Sequence, residues 1–452
     1  MISYTRRDFL RKAAGAAAAV GLAPSVALGA GPDGRKPNVV LLFIDDLGYG
    51  DVGCFGNRQI PTPHMDRMAA EGVRLTMSYI TNPPCSPSRC SLMTGMYAQR
   101  FGKFGMARGL PIPEDHPTLA EFMRDAGYVT GQIGKWDIGN KGQGPHKRGF
   151  MEVAKWAPSA SRKPYVCKRP DGSTVYRTDQ DGDYMVEFVE KNKDRPFFLY
   201  FSPFAIHSPL KDTPQRYQSR IKSEPQWYGG AVAAVDDQVG KLLAALDKHD
   251  LARDTLVLLT GDNGANPKGG SSAPYRGGKG KGTQQEGWVH TPAIAWWPGT
   301  IPGGQVYEGL TCTLDYYATA AAVAGRDPPK RCDGKDLIPY LTGRQKGDVH
   351  EFLFWYNADP KDSKHRHLSA VRWQDWRLVL NKKTQQWSLF DLRKDPEERN
   401  DVAGAHGDIV RTMKRKHEAF VASLPSLDSI PSYSGMWATA PKGWGWVIGE
   451  GK

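Results

Sequence analysis

Four short apolar runs constrain this chain more than any other feature, because each is followed at once by polar residues. Asn38–Ile44 ends in Asp45-Asp46. Tyr128–Ile133 runs into Gly134-Lys135-Trp136-Asp137, Pro196–Phe201 leads to His207, and Thr255–Thr260 ends in Gly261-Asp262-Asn263. Runs of this length without alternation are the pattern of strands buried on both faces. Between them, Val232, Val235, Val239, Leu242, Leu243 and Leu246 recur at helical spacing across Gly229–Lys248. Pro117–Ala126, closed by Gly127, is a second helix. Strands alternating with helices predict an α/β fold, a large and mainly parallel sheet sandwiched by helices. The ligand site of such a sheet lies outside the carboxyl ends of its strands. Asp45, Asp46, Lys135, His207, Asp262 and Asn263 would all meet there.

Composition narrows the class. Of the 452 residues 40% are hydrophobic and 24% charged, which excludes a disordered chain and a coiled coil. No apolar run reaches the ~18 residues of a membrane span, so no integral span is expected in the mature chain. The net charge of +12 suits an anionic partner. Without a clustered basic arm, a helix-turn-helix pattern or zinc-finger spacing, nucleic acid is not the expected one. Residues 1–30 read as a secretory signal: Arg6-Arg7-Asp8-Phe9-Leu10-Arg11-Lys12 precedes the apolar, Ala-rich stretch Ala13–Ala30. The paired arginines before Phe-Leu resemble a twin-arginine signal, which makes the mature chain periplasmic or secreted and bacterial. The six cysteines (54, 85, 90, 167, 312 and 332) are few for a disulfide scaffold, although four or more would be free to pair in an oxidising compartment.

The carboxyl-edge residues carry a recognisable chemistry. Asp45, Asp46, Asp262 and Asn263 form an all-oxygen set suited to a hard cation, Ca²⁺ or Mg²⁺, rather than zinc. Asp-Asp and Asp-Asn-Gly also start ordinary turns, but both pairs end buried strands here. Lysines and a histidine beside a cation suit an anionic substrate with a tetrahedral centre. Ahead of a further helix stands Asn82-Pro83-Pro84-Cys85-Ser86-Pro87-Ser88-Arg89-Cys90-Ser91-Leu92-Met93-Thr94-Gly95. Pro87 suits a first helical turn, Ser86 a cap and Gly95 a stop. Cys85 is therefore expected at a helix N-terminus close to Arg89, where free N–H groups stabilise an anion or a nucleophile.

Cys85-x-Pro87-Ser88-Arg89 followed by Leu92-x-Thr94-Gly95 resembles the signature of type I sulfatases, within the alkaline phosphatase superfamily. The resemblance runs through Asp45-Asp46-Leu47-Gly48-Tyr49-Gly50-Asp51, Thr62-Pro63-His64-Met65-Asp66-Arg67, Gly134-Lys135-Trp136, His207-Ser208-Pro209, Thr260-Gly261-Asp262-Asn263-Gly264 and Leu389-Phe390-Asp391-Leu392, in family order. It implies an alkaline-phosphatase-like catalytic domain over residues 36–345 and a smaller α+β subdomain with a tail over 346–452. It also implies a sulfuric ester hydrolase whose cysteine, here Cys85, is oxidised to formylglycine by a formylglycine-generating enzyme. Calcium would be held by Asp45, Asp46, Asp262 and Asn263 together with that residue. Arg89 and Lys135 would hold the nucleophile's oxygens. His207 and a lysine of the Gly277–Gly282 loop would bind sulfate and assist the leaving oxygen.

Two departures from the family pattern matter. Gly-Lys-Trp-His is usual, but Asp137 stands at the histidine's place, either as a replacement base, as a mark of impaired turnover, or as a structural residue. The loop Arg276-Gly277-Gly278-Lys279-Gly280-Lys281-Gly282-Thr283-Gln284-Gln285-Glu286 carries two extra residues. Counting back from Thr283 and Glu286 picks Lys281 as the sulfate lysine, the preferred choice, and counting forward from Arg276 picks Lys279. His290 takes the place of a frequent arginine and is expected, with Tyr275 and Trp288, beside the substrate. Net positive charge on an exported enzyme points to a sulfated carbohydrate. The alternatives are a phosphonate monoester or phosphodiester hydrolase of the same superfamily, or an inactive protein that only binds sulfated glycans.

Overall fold

The computed structural model describes residues 35–448 except 106–109, 156–158, 161–162, 224, 281–284, 358–367, 382–383 and 431–440. The signal-like segment 1–30 therefore lies outside the described residues, as does Lys281.

All four apolar runs are strands, displaced by a residue at most: Asn38–Ile44, Val129–Gly134, Phe197–Ser202 and Thr255–Gly261. They form the centre of a nine-stranded sheet. Asn38–Ile44 runs parallel to Thr255–Gly261 on one side and to Phe197–Ser202 on the other, and Val129–Gly134 continues the parallel order. Alternate residues of the first strand face opposite layers. Val40, Leu42 and Ile44 pack in a core with Met185, Phe188 and Val235, from the helices Arg177–Asn192 and Gln226–Lys248. Val39, Leu41 and Phe43 pack in another with Leu92, Met123 and Tyr317, from Cys85–Thr94, Leu119–Asp125 and Asp315–Val323. Both faces are thus covered, which is why these strands lack polar alternation.

The sheet is not purely parallel. Ala293–Trp296 runs antiparallel to Thr255–Gly261, and Trp446–Ile448 adds antiparallel to the edge strand Glu152–Ala154. Trp446 packs on Tyr184 at 5.5 Å between rings, so Trp446–Ile448 docks on the large sheet. A separate four-stranded antiparallel sheet spans Leu353–Tyr356, Ser369–Trp373, Trp376–Asn381 and Gln386–Asp391, with helix Gly407–Ala422 packed against it. All six cysteines are free thiols.

The second helix begins two residues later than Pro117 because Thr118 caps it. Its hydroxyl accepts from the Glu121 N–H at 3.1 Å and the Glu121 carboxylate accepts from the Thr118 N–H at 2.7 Å.

Candidate active site

The carboxyl ends of the strands bring the predicted residues together. Asp45 and Asp46 leave the first strand, and Asp46 turns the chain with φ 62°, a left-handed conformation that aspartate tolerates better than most residues. Its N–H donates to Asp262 Oδ1 at 3.0 Å, which ties the ends of two neighbouring strands together. Gly134 has φ 93°, and a Cβ there would lie 2.0 Å from the Ser202 carbonyl. Only glycine lets this strand close on Phe197–Ser202 and deliver Lys135. The Ile206 N–H donates to the Asp45 carbonyl at 2.9 Å, which brings the His207 loop alongside.

Cys85 is the first residue of helix Cys85–Thr94, with Pro84 in the cap position, so Ser86 lies inside the helix and does not cap it. The buried Cys85 Sγ is 3.5 Å from Asp45 Oδ1, 3.3 Å from Asn263 Oδ1 and 3.2 Å from Lys279 Nζ. One turn further on, fully buried Arg89 donates to Asp262 Oδ2 at 2.6 Å, to the Tyr200 hydroxyl at 2.9 Å and to Ser202 Oγ. Lys135 Nζ donates to Asp45 Oδ2 at 2.6 Å and lies 3.7 Å from Asp137 Oδ2. Asn263 Nδ2 donates to Asp46 Oδ1 at 2.9 Å, which turns its carbonyl oxygen toward the sulfur.

Lys279 is the loop lysine at the centre: its Nζ donates to Asp46 Oδ1 at 2.5 Å. Its position follows from the loop backbone, where the Lys279 N–H donates to the Ala265 carbonyl at 3.0 Å. Lys281, preferred on the longer matched run, lies outside the described residues. His290 does not join the site. Fully buried, it places Nδ1 3.1 Å from Glu286 Oε1 and Nε2 2.7 Å from the Thr76 carbonyl, and stacks on Tyr275 at 4.0 Å. Both ring nitrogens are engaged within the fold, so a substrate-binding role is corrected to a structural one. Trp288 is likewise fully buried rather than lining a surface. His207 is half-buried, with Nδ1 2.7 Å from the Ser208 carbonyl, which leaves Nε2 as the nitrogen to exchange with a ligand.

Electrostatics follow from crowding carboxylates out of water. Burial opposes the charge of Asp45, but Lys135, His207, Arg89 and Lys279 outweigh it and hold the carboxyl well below the usual range. Asp262 goes the other way: burial and then the neighbouring Asp45 push it up to about 7. Burial, followed by Asp262 and Asp45, pushes the Cys85 thiol well up, so the unmodified side chain is not a thiolate at neutral pH.

The donor set fits a hard cation. Asp45, Asp46, Cys85 and Asp262 offer ligand atoms within 4.8 Å of one another, all buried, and Asn263 adds an inward-facing carbonyl oxygen. Carboxylates packed this closely repel one another, and a bound cation would relieve that repulsion.

Sequence reasoning missed three supports. Tyr200 and Ser202 sit within an apolar strand and reach Arg89 only across the sheet, which no local pattern reveals. Asn266, whose Nδ2 donates to Asp46 Oδ2 at 3.2 Å and to the Ile206 carbonyl at 2.8 Å, stands three residues after Asn263 and was open to the same reading of polar residues past a strand end.

The loop that carries Lys279 is clamped from the C-terminal sheet. Buried Glu286 Oε2 pairs with Arg377 Nε at 2.8 Å, Arg377 also pairs with Glu398, and the Glu286 N–H donates to Glu398 Oε2 at 2.8 Å. Burial disfavours the Glu286 charge, yet the His290 hydrogen bond and both Arg377 and Arg372 outweigh it and hold the carboxyl down at about 2. Glu286→Gln is expected to destabilise the chain by about 3–5 kcal/mol, because Arg377 loses a partner in the core. Denaturant unfolding at pH 7 checks this. The gap from the parent should shrink as pH falls from about 4.5 toward 2, where the parent loses the same charge.

A mainly parallel sheet with buried carboxylates, an amide and a helix-N-terminal cysteine at its carboxyl edge defines a hydrolase of alkaline-phosphatase-like fold. A sulfatase family model matches residues 37–326, and one described as N-sulphoglucosamine sulphohydrolase, C-terminal, matches 281–422. The chain belongs to the type I sulfatase family and is a sulfuric ester hydrolase. It is 35% identical to N-acetylgalactosamine-6-sulfatase of Canis lupus familiaris, with 86% of each chain covered. It is 32% identical to arylsulfatase A of Homo sapiens, with 84% of this chain and 87% of that one covered. The solved structure described as Ps i-CgsB in complex with k-i-k-neocarrahexaose superposes with TM-score 0.77 at 28% identity, covering 88% of this chain and 96% of that one. No helix among the described residues is long and apolar enough to cross a membrane.

Proposed function

We propose that this sulfatase removes sulfate from a sulfated carbohydrate, using a formylglycine formed from Cys85 by a formylglycine-generating enzyme, with calcium held by Asp45, Asp46, Asp262 and Asn263. The observation that carries the reading is the surroundings of Cys85: a buried helix N-terminus facing two acidic strand ends, with Lys279 at 3.2 Å. The names of the relatives support the substrate class, since an N-acetylgalactosamine-6-sulfatase and a complex with k-i-k-neocarrahexaose are among them. The twin arginines and the stretch Ala13–Ala30 support export to the periplasm or beyond, with residues 1–30 as the signal.

Formylglycine at position 85 supplies, in its hydrated form, a hydroxyl nucleophile, and the cation supplies positive charge beside the reacting oxygens. The chain's own residues do the rest. Arg89 orients Asp262 and opposes part of the upward push on its carboxyl, and Lys135 holds Asp45 ionised. Lys279 extends positive charge toward the substrate's sulfuryl oxygens as they gain charge. His207 Nε2 donates a proton to the departing alcohol oxygen. Asp137, buried and held at φ 57°, takes the proton whose loss frees the sulfate.

Mass analysis of the Cys85 peptide, from protein made beside a maturation enzyme, tests the nucleophile. An aldehyde or its hydrate is expected, together with sulfate release from sulfated oligosaccharides in excess of hydrolysis of an aryl phosphodiester. A thiol in every preparation, with tight glycan binding and no sulfate release, would overturn the reading. Asp137→Asn should slow turnover by about 10²–10⁴. Asparagine tolerates φ 57° as aspartate does, so circular dichroism should be unchanged, and unaltered turnover would remove Asp137 from the mechanism.

A further inference from the structure

A cavity of about 340 Å³ opens beside the active-site loops and is lined by Arg58, Arg220 and Lys222, with Asn57, Thr62 and Asp66 among its other walls. Its walls come from the segments that follow two central strands, Asn38–Ile44 and Phe197–Ser202, at their carboxyl ends. It therefore shares the edge on which Cys85 and the carboxylates converge. Gly53 in its wall is seven residues from Asp46, hence no more than about 25 Å along the chain. The wall is tied to the site's own loops. Asn57 Nδ2 donates to the Gly50 carbonyl at 2.6 Å, and the Gly50 N–H donates to the carbonyl of Ser271 at 2.9 Å, in the loop that runs on to Lys279.

The charge in this cavity is lopsided. Asp66, the lining carboxylate, is occupied by the Cys54 N–H at 2.7 Å and the Thr62 hydroxyl at 3.2 Å. Arg220 donates to both oxygens of Asp237 at 2.9 Å, which fixes the guanidinium at the rim. Arg58 and Lys222 are exposed, and among the described residues neither pairs with a carboxylate. Two cations without a carboxylate partner among the described residues, and a fixed third, around a concave, polar space form a receptor for an anionic group. A compact aryl sulfate bound at Cys85 offers no second anion to reach it, whereas a saccharide chain bearing several anionic groups does.

We infer that this cavity is a remote subsite that binds a second anionic group, sulfate or carboxylate, of the same saccharide chain whose scissile sulfate lies at Cys85. The inference rests on the reading of the chain as a carbohydrate sulfatase and adds that its substrate is an oligomer or polymer with repeated anionic groups, not a lone sulfated sugar. Arg58 and Lys222 then raise affinity without touching the reacting atoms.

The test compares Arg58→Ala/Lys222→Ala with the parent enzyme on three substrates: an aryl sulfate, a ι-carrageenan hexasaccharide with sulfate as its sole anion, and a chondroitin sulfate hexasaccharide with sulfate and carboxylate. KM for one or both hexasaccharides should rise about tenfold with kcat unchanged, while KM for the aryl sulfate stays within about twofold. A rise on both assigns the pocket to sulfate, and a rise on chondroitin sulfate alone assigns it to carboxylate. No rise on either, or an equal rise on the aryl sulfate, overturns the inference. Calorimetric binding of the same hexasaccharides to Cys85→Ala protein, with and without the two substitutions, reads the pocket without turnover. A tenfold loss of affinity there supports the pocket even if the mature enzyme releases no sulfate, and unchanged affinity overturns it even if the enzyme does.

Discussion

Lys279→Ala is expected to lower kcat for sulfate release by about 10²–10³, whereas Lys281→Ala should leave it within about threefold. The asymmetry follows from where the Lys279 ammonium stands, 3.2 Å from Cys85 Sγ and 2.5 Å from Asp46 Oδ1. A preorganised cation at the point where charge develops acts more strongly than one in water, because the site is dry. Steady-state rates of both variants on an aryl sulfate settle the assignment. The reverse order of effects would show that the two extra loop residues belong before the functional lysine, as the count back from Glu286 first suggested. Thermal unfolding of Lys279→Ala is a useful companion, since losing its ammonium leaves Asp46 with one cation fewer.

Removing the cation with a chelator is expected to lower turnover by about 10²–10⁴, restored by added calcium. The chelated protein should also show a distinctive pH dependence. Without a cation, burial and Asp45 push Asp262 up to about 7, above its ordinary value of 3.8. A carboxyl whose folded value is raised opposes folding once pH exceeds the unfolded value, and the opposition is complete above the folded one. The metal-free chain should therefore lose this contribution to stability as pH rises from about 4 to 7, and calcium should restore most at pH 8. Because the cation must displace the proton on Asp262, its apparent affinity should fall about tenfold per pH unit below 7. Calorimetric titration of calcium into chelated protein at pH 5.5, 6.5 and 7.5 checks the slope, and a flat profile would take Asp262 out of the ligand set.

The strands and the acidic edge were readable because both are local signals. An unbroken run such as Asn38–Ile44 declares burial on two faces, and Asp45-Asp46 at its end can only stand at the sheet's rim. The helix over Cys85–Thr94 was readable for the same reason, through Pro87 and Gly95, although its first residue proved to be Cys85 itself. His290 is expected beside the substrate because it takes the place of a frequent arginine near the loop lysine, but a position in a motif does not fix where a side chain points. In the folded chain, one turn of 3₁₀ helix and the cross-bonds to Thr76 and Glu286 send it into the core.

What the sequence determined by itself is the order of buried strands, the helices between them, the family motifs and hence the residue types available at one edge of a sheet. Those depend on hydrophobic period, on turn chemistry and on spacing, each confined to a few neighbouring residues. The tertiary structure alone decided that Lys279 reaches Cys85, that Tyr200 and Ser202 orient Arg89, and that Arg377 and Glu398 clamp the Lys279 loop from a different sheet. It alone gathered Arg58, Arg220 and Lys222 around one cavity. The pairs that hold the site together join residues from about ninety to about two hundred positions apart, and the distance between two side chains across a closed sheet is set by the packing of everything between them, not by any pattern along the chain.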